Sequence, residues 1–303
     1  MLLYISPREI VNKENSYINS TYEYTHGYGA IATSVSSTNN AGNLENYQKS
    51  FIENDLKITQ PRIYFGLQTN ETIVTNSTTK QEFDYPISDG KNETNKYDGK
   101  AGLKLGFADR LVLAISQGDV KLALSSDVHS NSKILTNRNI IKRAKEIMPY
   151  LLYDENPYLV ITDEGKLVWV LDAYTTSNYY PYSQKSTINN KDINYIRNSA
   201  KVLIDAYDGT VKFYITDRTD PIIMAYWKAY DNLFVNLEEQ IPEDISKHFV
   251  YPEFLYNIQA NILKRYHNVQ ADVLYRTDDV WDISTYSITN SSNNYVTQVQ
   301  PYY

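Results

Sequence analysis

The chain has 303 residues, 42% of them apolar, with a net charge of -7, 29 tyrosines and no cysteine. Without cysteine there is no disulfide framework, no thiol catalysis and no zinc–thiolate site, and an acidic chain lacks the Lys/Arg surplus that general nucleic-acid binding requires. No apolar run reaches the roughly eighteen residues that span a bilayer, so the length suits one large domain or two closely packed ones.

The first hundred residues are polar and broken, and are expected to form an irregular β-rich segment, residues 1–100, packed on the rest. Thr25-His26-Gly27-Tyr28-Gly29 sets two glycines around an aromatic ring, which implies a tight backbone path. Residues 33–46 are rich in Ser and Asn and read as a loop. Residues 63–67 and 72–75 read as short strands joined by a turn at Thr69 and Asn70, 83–86 as another extended piece, and 89–100 as turn-forming. A core over residues 101–285 follows. Residues 103–115 are nearly all apolar, which predicts a helix that is buried or lies on a sheet. A short helix is expected over 119–125. Ile140, Ile141, Ala144, Ile147 and Met148 recur at helical spacing and predict a third helix, capped by Thr136 and ended at Pro149. Arg138, Lys142, Arg143 and Lys145 beside it read as a solvated helix face.

The period then changes to two. Residues 158–162 and 167–171 flank Asp163-Glu164-Gly165-Lys166, a hairpin with a four-residue turn. Residues 201–207 and 210–216 flank Asp208-Gly209, a type I′ pair. Val170-Leu171-Asp172-Ala173-Tyr174 is echoed by Leu203-Ile204-Asp205-Ala206-Tyr207, which points to two hairpins side by side in one sheet. Val168, Val170, Val202, Ile204, Val211 and Phe213 are expected on its one buried side. Asp220 caps a helix that starts at Pro221 and faces inward with Ile223, Tyr226, Trp227, Tyr230 and Phe234. Another helix begins at Pro252, and residues 286–303 read as a polar tail. Hairpins and helices in blocks, without βαβ alternation, predict an α+β fold: an antiparallel sheet built from two hairpins with helices mainly on one face.

The candidate chemistry is sparse. The linker over 175–195 carries Tyr180 and Tyr182; a connection of that length without periodicity is usually functional or disordered, and Pro181, the tyrosines and the low net charge weigh against disorder. Aromatic rings beside hydroxyls and amides suit sugars or peptide chains; the plain alternative is a flap packed on the sheet. His26, with Tyr28 beside it, is able to titrate or bind metal, or else is held by a backbone carbonyl in a packed turn. Asp172 and Asp205 end paired strands, where they are placed to face each other for acid–base work, or to cap turns. Arg197 is placed to pair with Asp172 or Asp205, or to clamp an anion. Asp278, Asp279 and Asp282 cluster around Trp281 without the spacing of a calcium loop. No cofactor or metal site is expected.

Several short segments together resemble one family. They include the Tyr24 to Gly29 motif, Asp172-Ala173-Tyr174-Thr175-Thr176-Ser177 running into Tyr180-Pro181-Tyr182-Ser183, and Asn194-Tyr195-Ile196-Arg197-Asn198-Ser199 leading to Asp205-Ala206-Tyr207-Asp208-Gly209. In that order they resemble uncharacterised protein family zero-one-eight-two, bacterial membrane proteins with an N-terminal transmembrane bundle and a large soluble region. The resemblance covers nearly the whole chain. It implies the first part of the soluble region, at the cell membrane on its extracytoplasmic side, partnered by its own transmembrane bundle and by a C-terminal soluble part missing here. The family offers no catalytic residues to transfer. The expectation is a binding or assembly module at the cell envelope, for an envelope ligand and not for nucleic acid. Its rivals are an envelope enzyme using Asp172 and Asp205 with His26, and a structural cap of a transporter. A deep pocket joining those three residues separates the enzyme from a tyrosine-lined binder, and the cap predicts a large exposed apolar patch.

Overall fold

The central strands are apolar at nearly every position, so they form where both faces of a sheet are covered. In the computed structural model, which describes residues 3–11, 16–38, 44–46, 56–87, 90–104, 106–188, 190–230, 232–289 and 295–299, the chain divides into two compact units, Met1–His248 and Phe249–Tyr303.

The first unit opens with β1 (Leu3–Pro7), β2 (Gly27–Tyr28), β3 (Ala30–Thr38), β4 (Leu44–Asn46), β5 (Arg62–Ile63), β6 (Ile73–Thr75), β7 (Glu82–Pro86), β8 (Asn92–Asn95) and β9 (Leu103–Lys104). Next come α1 (Phe107–Gln117), α2 (Val120–Leu124), β10 (Lys133–Leu135) and α3 (Ile140–Ile147). The sheet region holds β11 (Leu152–Tyr153), β12 (Tyr158–Ile161), β13 (Leu167–Ser177), β14 (Ser186–Ile188), β15 (Lys191–Ile193), β16 (Tyr195–Asp205) and β17 (Val211–Ile215), followed by α4 (Pro221–Ala229) and α5 (Glu243–Ser246).

The fold is α+β. Both expected hairpins share one antiparallel sheet, in which β13 pairs with β11, β12 and β16, and β16 pairs with β17. Trp169, Leu171, Val202, Ile204 and Phe213 share one face and pack with Ile140, Ala144 and Met148 beneath α3 and with Ile223 of α4. Val168 and Val170, expected on that face, lie on the other, because the register pairs Trp169 with Ile204 and Val170 with Leu203. They are buried there too, which is why alternation misleads for a strand covered on both sides. The β16–β17 connection is not a two-residue turn: Ile204 pairs with Val211, and Gly209 alone in the turn takes a positive φ, 67°.

The N-terminal strands pack on the same core through Ile63, Tyr64 and Phe65. β5 and β6 do not pair with each other as the sequence suggests. β5 joins β2 and β6 joins β10, while the Tyr64 and Phe65 N–H groups donate to the Ala206 carbonyl at 2.9 and 3.0 Å. The expected loop over 33–46 continues β3 to Thr38, with residues 39–43 outside the described residues, and the turn-forming stretch before Lys100 holds β8, paired with β7. Asn139, rather than Thr136, caps α3 through the Lys142 N–H. The expected solvated basic face is partly interior: Arg138 is buried, and Arg143 lies over the Phe65 ring at 4.8 Å. α1 departs most from expectation. Of its large apolar side chains Phe107, Leu111, Val112 and Ile115 are exposed, and Ala114 is its one buried residue.

The second unit holds α6 (Glu253–Tyr266), α7 (Ala271–Arg276) and an antiparallel ribbon of β18 (Thr285–Thr289) with β19 (Tyr295–Val299). That ribbon occupies the stretch expected as a tail; residues 290–294 and 300–303 lie outside the described residues. Trp281 stacks on His267 at 3.8 Å. The three acids around it are each met by a base, Asp278 by Arg276 at 3.1 Å, Asp279 by His267 at 3.5 Å and Asp282 by Lys264 at 2.6 Å.

Candidate functional site

β13 and β16 run past the core, and their last pair, Ser177 with Tyr195, is the stem of a flap over residues 178–194. A bulge between Ala173 and Thr175 shifts the register just before the stem. Asn194 clamps the flap's base. Its Oδ1 accepts the Tyr180 N–H at 3.1 Å, and its Nδ2 donates to the carbonyls of Tyr180 at 2.8 Å and Ser183 at 3.1 Å. The Ser183 hydroxyl donates back to the Asn194 carbonyl at 2.9 Å. The Tyr180 ring stacks on Tyr195, 5.3 Å between centroids. β14 and β15 form a small hairpin within the flap, closed by the Thr187 hydroxyl on Asp192 at 2.7 Å.

The stem is tied to the core through a buried carboxylate. Asp220 caps α4 by accepting the Ile222 N–H at 3.0 Å, and accepts the Tyr195 hydroxyl at 2.8 Å as well as those of Thr175 and Ser199. Burial works to raise its carboxyl, but the hydroxyls of Ser199, Thr175 and Tyr195 and the Ile222 N–H outweigh it and hold it below the ordinary range. Burial and the same carboxylate push the Tyr195 phenol up to about 12. On this anchored frame Tyr179 and Tyr182 stand fully in water and Tyr180 is 53% exposed. Rigid aromatic side chains on an ordered loop supply contact area at small entropic cost.

The seven residues singled out from the sequence fall in four places. Tyr180 and Tyr182 are on the flap, with Arg197 on its stem strand, where it pairs with Asp217 at 3.4 Å rather than with Asp172 or Asp205. Asp172 is buried and faces Lys201 across the sheet, with Asn198 Nδ2 donating to it at 2.7 Å. Asp205 stands opposite Val168, so the two aspartates do not face each other. Its Oδ1 accepts the N–H groups of Tyr207 at 2.8 Å and Asp208 at 2.9 Å, the turn-capping role. Burial raises its carboxyl above the usual range against the pull of those N–H groups.

His26 and Tyr28 lie in the N-terminal layer. His26 is not held by a carbonyl but by side chains: Nδ1 is 2.9 Å from the Thr25 hydroxyl and Nε2 is 3.1 Å from Asp84 Oδ1. Its ring stacks on Tyr64 at 4.6 Å. Arg62 brackets the same carboxylate, with Nη2 2.6 Å from Oδ2. Burial works to raise the Asp84 carboxyl, and His26 and Arg62 hold it below the ordinary range. Glu82 beside it accepts the hydroxyls of Thr25 at 2.8 Å and Tyr64 at 2.6 Å. Tyr28 packs its ring near Tyr85, 4.9 Å between centroids. An open cleft of about 600 Å³ runs along residues 76–83 and past Asn92 and Asn95, and none of the seven candidates lines it. Among the described residues no group of three or more His, Asp or Glu is placed to hold a metal ion.

Sequence reasoning missed two residues of the flap's support. Asp220 was legible as a helix cap but not as the flap's anchor, since its hydroxyl partners come from two distant strands. Asn194 reads from sequence as one polar residue among many.

Fold and surface together define an α+β domain that presents a clamped, tyrosine-bearing flap from the end of its central sheet. The chain belongs to the Uncharacterised protein family (UPF0182), whose model matches residues 3–303. It is 43% identical to a UPF0182 protein of Caldicellulosiruptor saccharolyticus over 99% of this chain and 33% of that protein. It is 44% identical to one from Clostridium botulinum (strain Okra / Type B1) over 93% of this chain and 31% of that protein. With a Clostridium acetobutylicum member it shares 45% identity, over 92% of this chain and 31% of that protein. The chain thus spans about a third of the length of these curated relatives. No solved structure matches it. No helix among the described residues is long and apolar enough to cross a membrane.

Proposed function

We propose that this region is an extracytoplasmic binding or assembly module of a membrane-tethered protein, and that its flap takes a polysaccharide of the cell envelope. The flap's preorganisation carries the reading: Tyr179, Tyr180 and Tyr182 are open to water while Asn194 and the Tyr195–Asp220 pair fix the backbone beneath them. Tyrosine faces stack on sugar rings, their hydroxyls bond to sugar hydroxyls, and little ordering remains to oppose binding. The flap's few charges suit a neutral or weakly charged polymer. The separation of His26, Asp172 and Asp205 into different parts of the unit supports the binder over an enzyme built on those three.

The test is retention of the chain on purified, insoluble cell-wall polysaccharide, with the melting temperature measured in parallel. Tyr180→Ala with Tyr182→Ala is expected to reduce retention about tenfold or more while the melting temperature changes little, since Tyr182 is fully exposed and half-exposed Tyr180 loses only its stack on Tyr195. Asn194→Ala should weaken retention less, by loosening the frame. Retention unchanged in the double variant, or lost only together with thermal stability, would reduce the flap to packing.

A further inference from the structure

Asp172 of β13 and Lys201 of β16 stand directly opposite each other in the central sheet. Both side chains are buried, Lys201 7% and Asp172 6% exposed, and Lys201 Nζ meets Asp172 Oδ1. On the same face Val170 pairs with Leu203 two residues along the ladder, and Tyr214 of β17 stands opposite Lys201. All three are buried, so the pair sits among apolar side chains and a tyrosine ring. Taking two charges out of water is costly, and a neutral group in their place removes the cost.

The donors around Asp172 are one-sided. Asn198 Nδ2 also donates to Oδ1, at 2.7 Å, while Oδ2 receives no hydrogen bond among the described residues. Asp154 is the other buried acid nearby, and its N–H donates to the Asp172 carbonyl at 3.0 Å. Its own carboxylate is taken up elsewhere, by the Tyr174 hydroxyl at 2.6 Å and the Asn156 N–H at 2.9 Å. An amine and a carboxyl group fixed in register, with one carboxyl oxygen held and the other open, have the reactants of an amide bond already in place.

We infer that Lys201 and Asp172 condense to an intramolecular isopeptide bond that ties β13 to β16 below the stem of the flap. A proton passed from Nζ to Oδ2 leaves an amine facing a carboxylic acid. Nζ then attacks Cγ, the C–N bond forms and the Cγ–Oδ2 bond breaks. Of the three ammonium protons one stays on the amide nitrogen and two leave with Oδ2 as water, so the atoms balance within the pair. Asn198 Nδ2 is placed to hold the charge that builds on Oδ1, and the apolar walls keep water from reversing the step. The link closes a covalent ring around residues 173–200, flap included. In a chain without cysteine it restricts the unfolded state as a disulfide would. It is independent of what the flap binds.

Mass spectrometry of the intact chain, folded and then denatured, tests it. The wild type should weigh one water less than its sequence, and its digest should contain a branched species joining the peptide of Asp172 to that of Lys201. Lys201→Arg keeps a cation beside Asp172 but removes the condensing amine, and should return the chain to its full mass. Asp172→Ala should do the same. The wild-type mass decides the matter even where a variant fails to fold. A folded wild-type chain at its full sequence mass overturns the proposal. So does a one-water deficit carried by a linear peptide at Asp98-Gly99 or Asp208-Gly209, where an aspartyl–glycine pair loses water by cyclising on its own backbone.

Discussion

Gly209 gives the sharpest test of how the two layers of the first unit fit together. It takes φ = 67°, a conformation that costs an L-residue about 1–2 kcal/mol. A Cβ added there would also stand 2.6 Å from Cε1 and Cζ of Phe65, well inside contact distance. That ring has little room to yield. Phe65 is buried, Arg143 lies over its ring at 4.8 Å, and the Phe65 carbonyl accepts the Trp169 indole N–H at 2.9 Å. Arg143 in turn donates to the Gly209 carbonyl at 2.7 Å, so turn, ring and guanidinium are one assembly. Overpacking of this kind costs about 1–3 kcal/mol.

Gly209→Ala is therefore expected to destabilise by about 2–5 kcal/mol, the sum of the two terms. For a unit of this size that is roughly 5–15 °C in melting temperature. Gly29→Ala is the control: φ there is 73°, but the added Cβ meets no atom within 4 Å. Urea unfolding of both variants separates backbone strain from collision. Equal losses for the two would refute the contact term, and no loss for either would refute the backbone assignment as well.

Two further expectations concern buried charge. Asp220→Asn should cost about 2 kcal/mol at pH 7, because three hydroxyls and a backbone N–H converge on the carboxylate. The Asp220 carboxyl is held below its unfolded value, so its contribution is present above the unfolded pKa and is lost as pH falls through the folded one; wild type and variant should converge in acid, and a constant gap in urea midpoints down to about pH 3 would contradict this. Arg138 is buried and donates to the carbonyls of Tyr64, Glu71 and Thr25, and burial lowers it to about 10. Arg138→Met should cost about 3–5 kcal/mol by stranding those carbonyls, read as a lower urea midpoint; a stable variant would mean that water replaces the guanidinium.

The parts of the fold legible in the sequence were those decided locally. The pairing of the two hairpins, Pro221 at the start of α4 behind its Asp220 cap, and the apolar spacing of α3 follow from strand content and capping, although the β16–β17 turn is longer than Asp208-Gly209 alone implies and alternation misplaced Val168 and Val170. Several of the failures depended on distant partners. Residues 63–67 look like half of a hairpin, but the Tyr64 and Phe65 N–H groups are claimed by the Ala206 carbonyl and that of Gly66 by Arg138, far along the chain. Thr136 looks like a cap, but Asn139 lies nearer the first turn. The run over 103–115 looks buried because apolar content measures what a face prefers, not what covers it, and α1 turns much of that content outward. At the candidate site, Tyr180 and Tyr182 were legible as composition, while the Asn194 clamp depends on where the stem brings the two ends of the flap together.

The placement of carboxylates bears on which reading of the site is the better. Glu82 accepts from Thr25, Tyr64 and two backbone N–H groups; Asp84 is held by His26 and Arg62; Asp172 by Lys201 and Asn198; Asp220 by three hydroxyls and an N–H. Each is buried; Glu82 and Asp220 each accept four hydrogen bonds from within the fold, Asp84 is met on both oxygens, and Asp172 accepts from Lys201 and Asn198 on Oδ1. Replacing any one partner would leave a charge with too few donors in a low-dielectric site, which makes these networks strongly directional in how the strands dock. A carboxylate that moves a proton to a substrate needs a lone pair facing that substrate, and Glu82 and Asp220 spend theirs on the fold. The flap is arranged the other way, with the Tyr180 N–H and the carbonyls of Tyr180 and Ser183 held by Asn194 and the Tyr179 and Tyr182 rings facing solvent. If the flap is the binding surface, substitutions at Tyr179 and Tyr182 are expected to change binding without changing stability, because both rings stand in water.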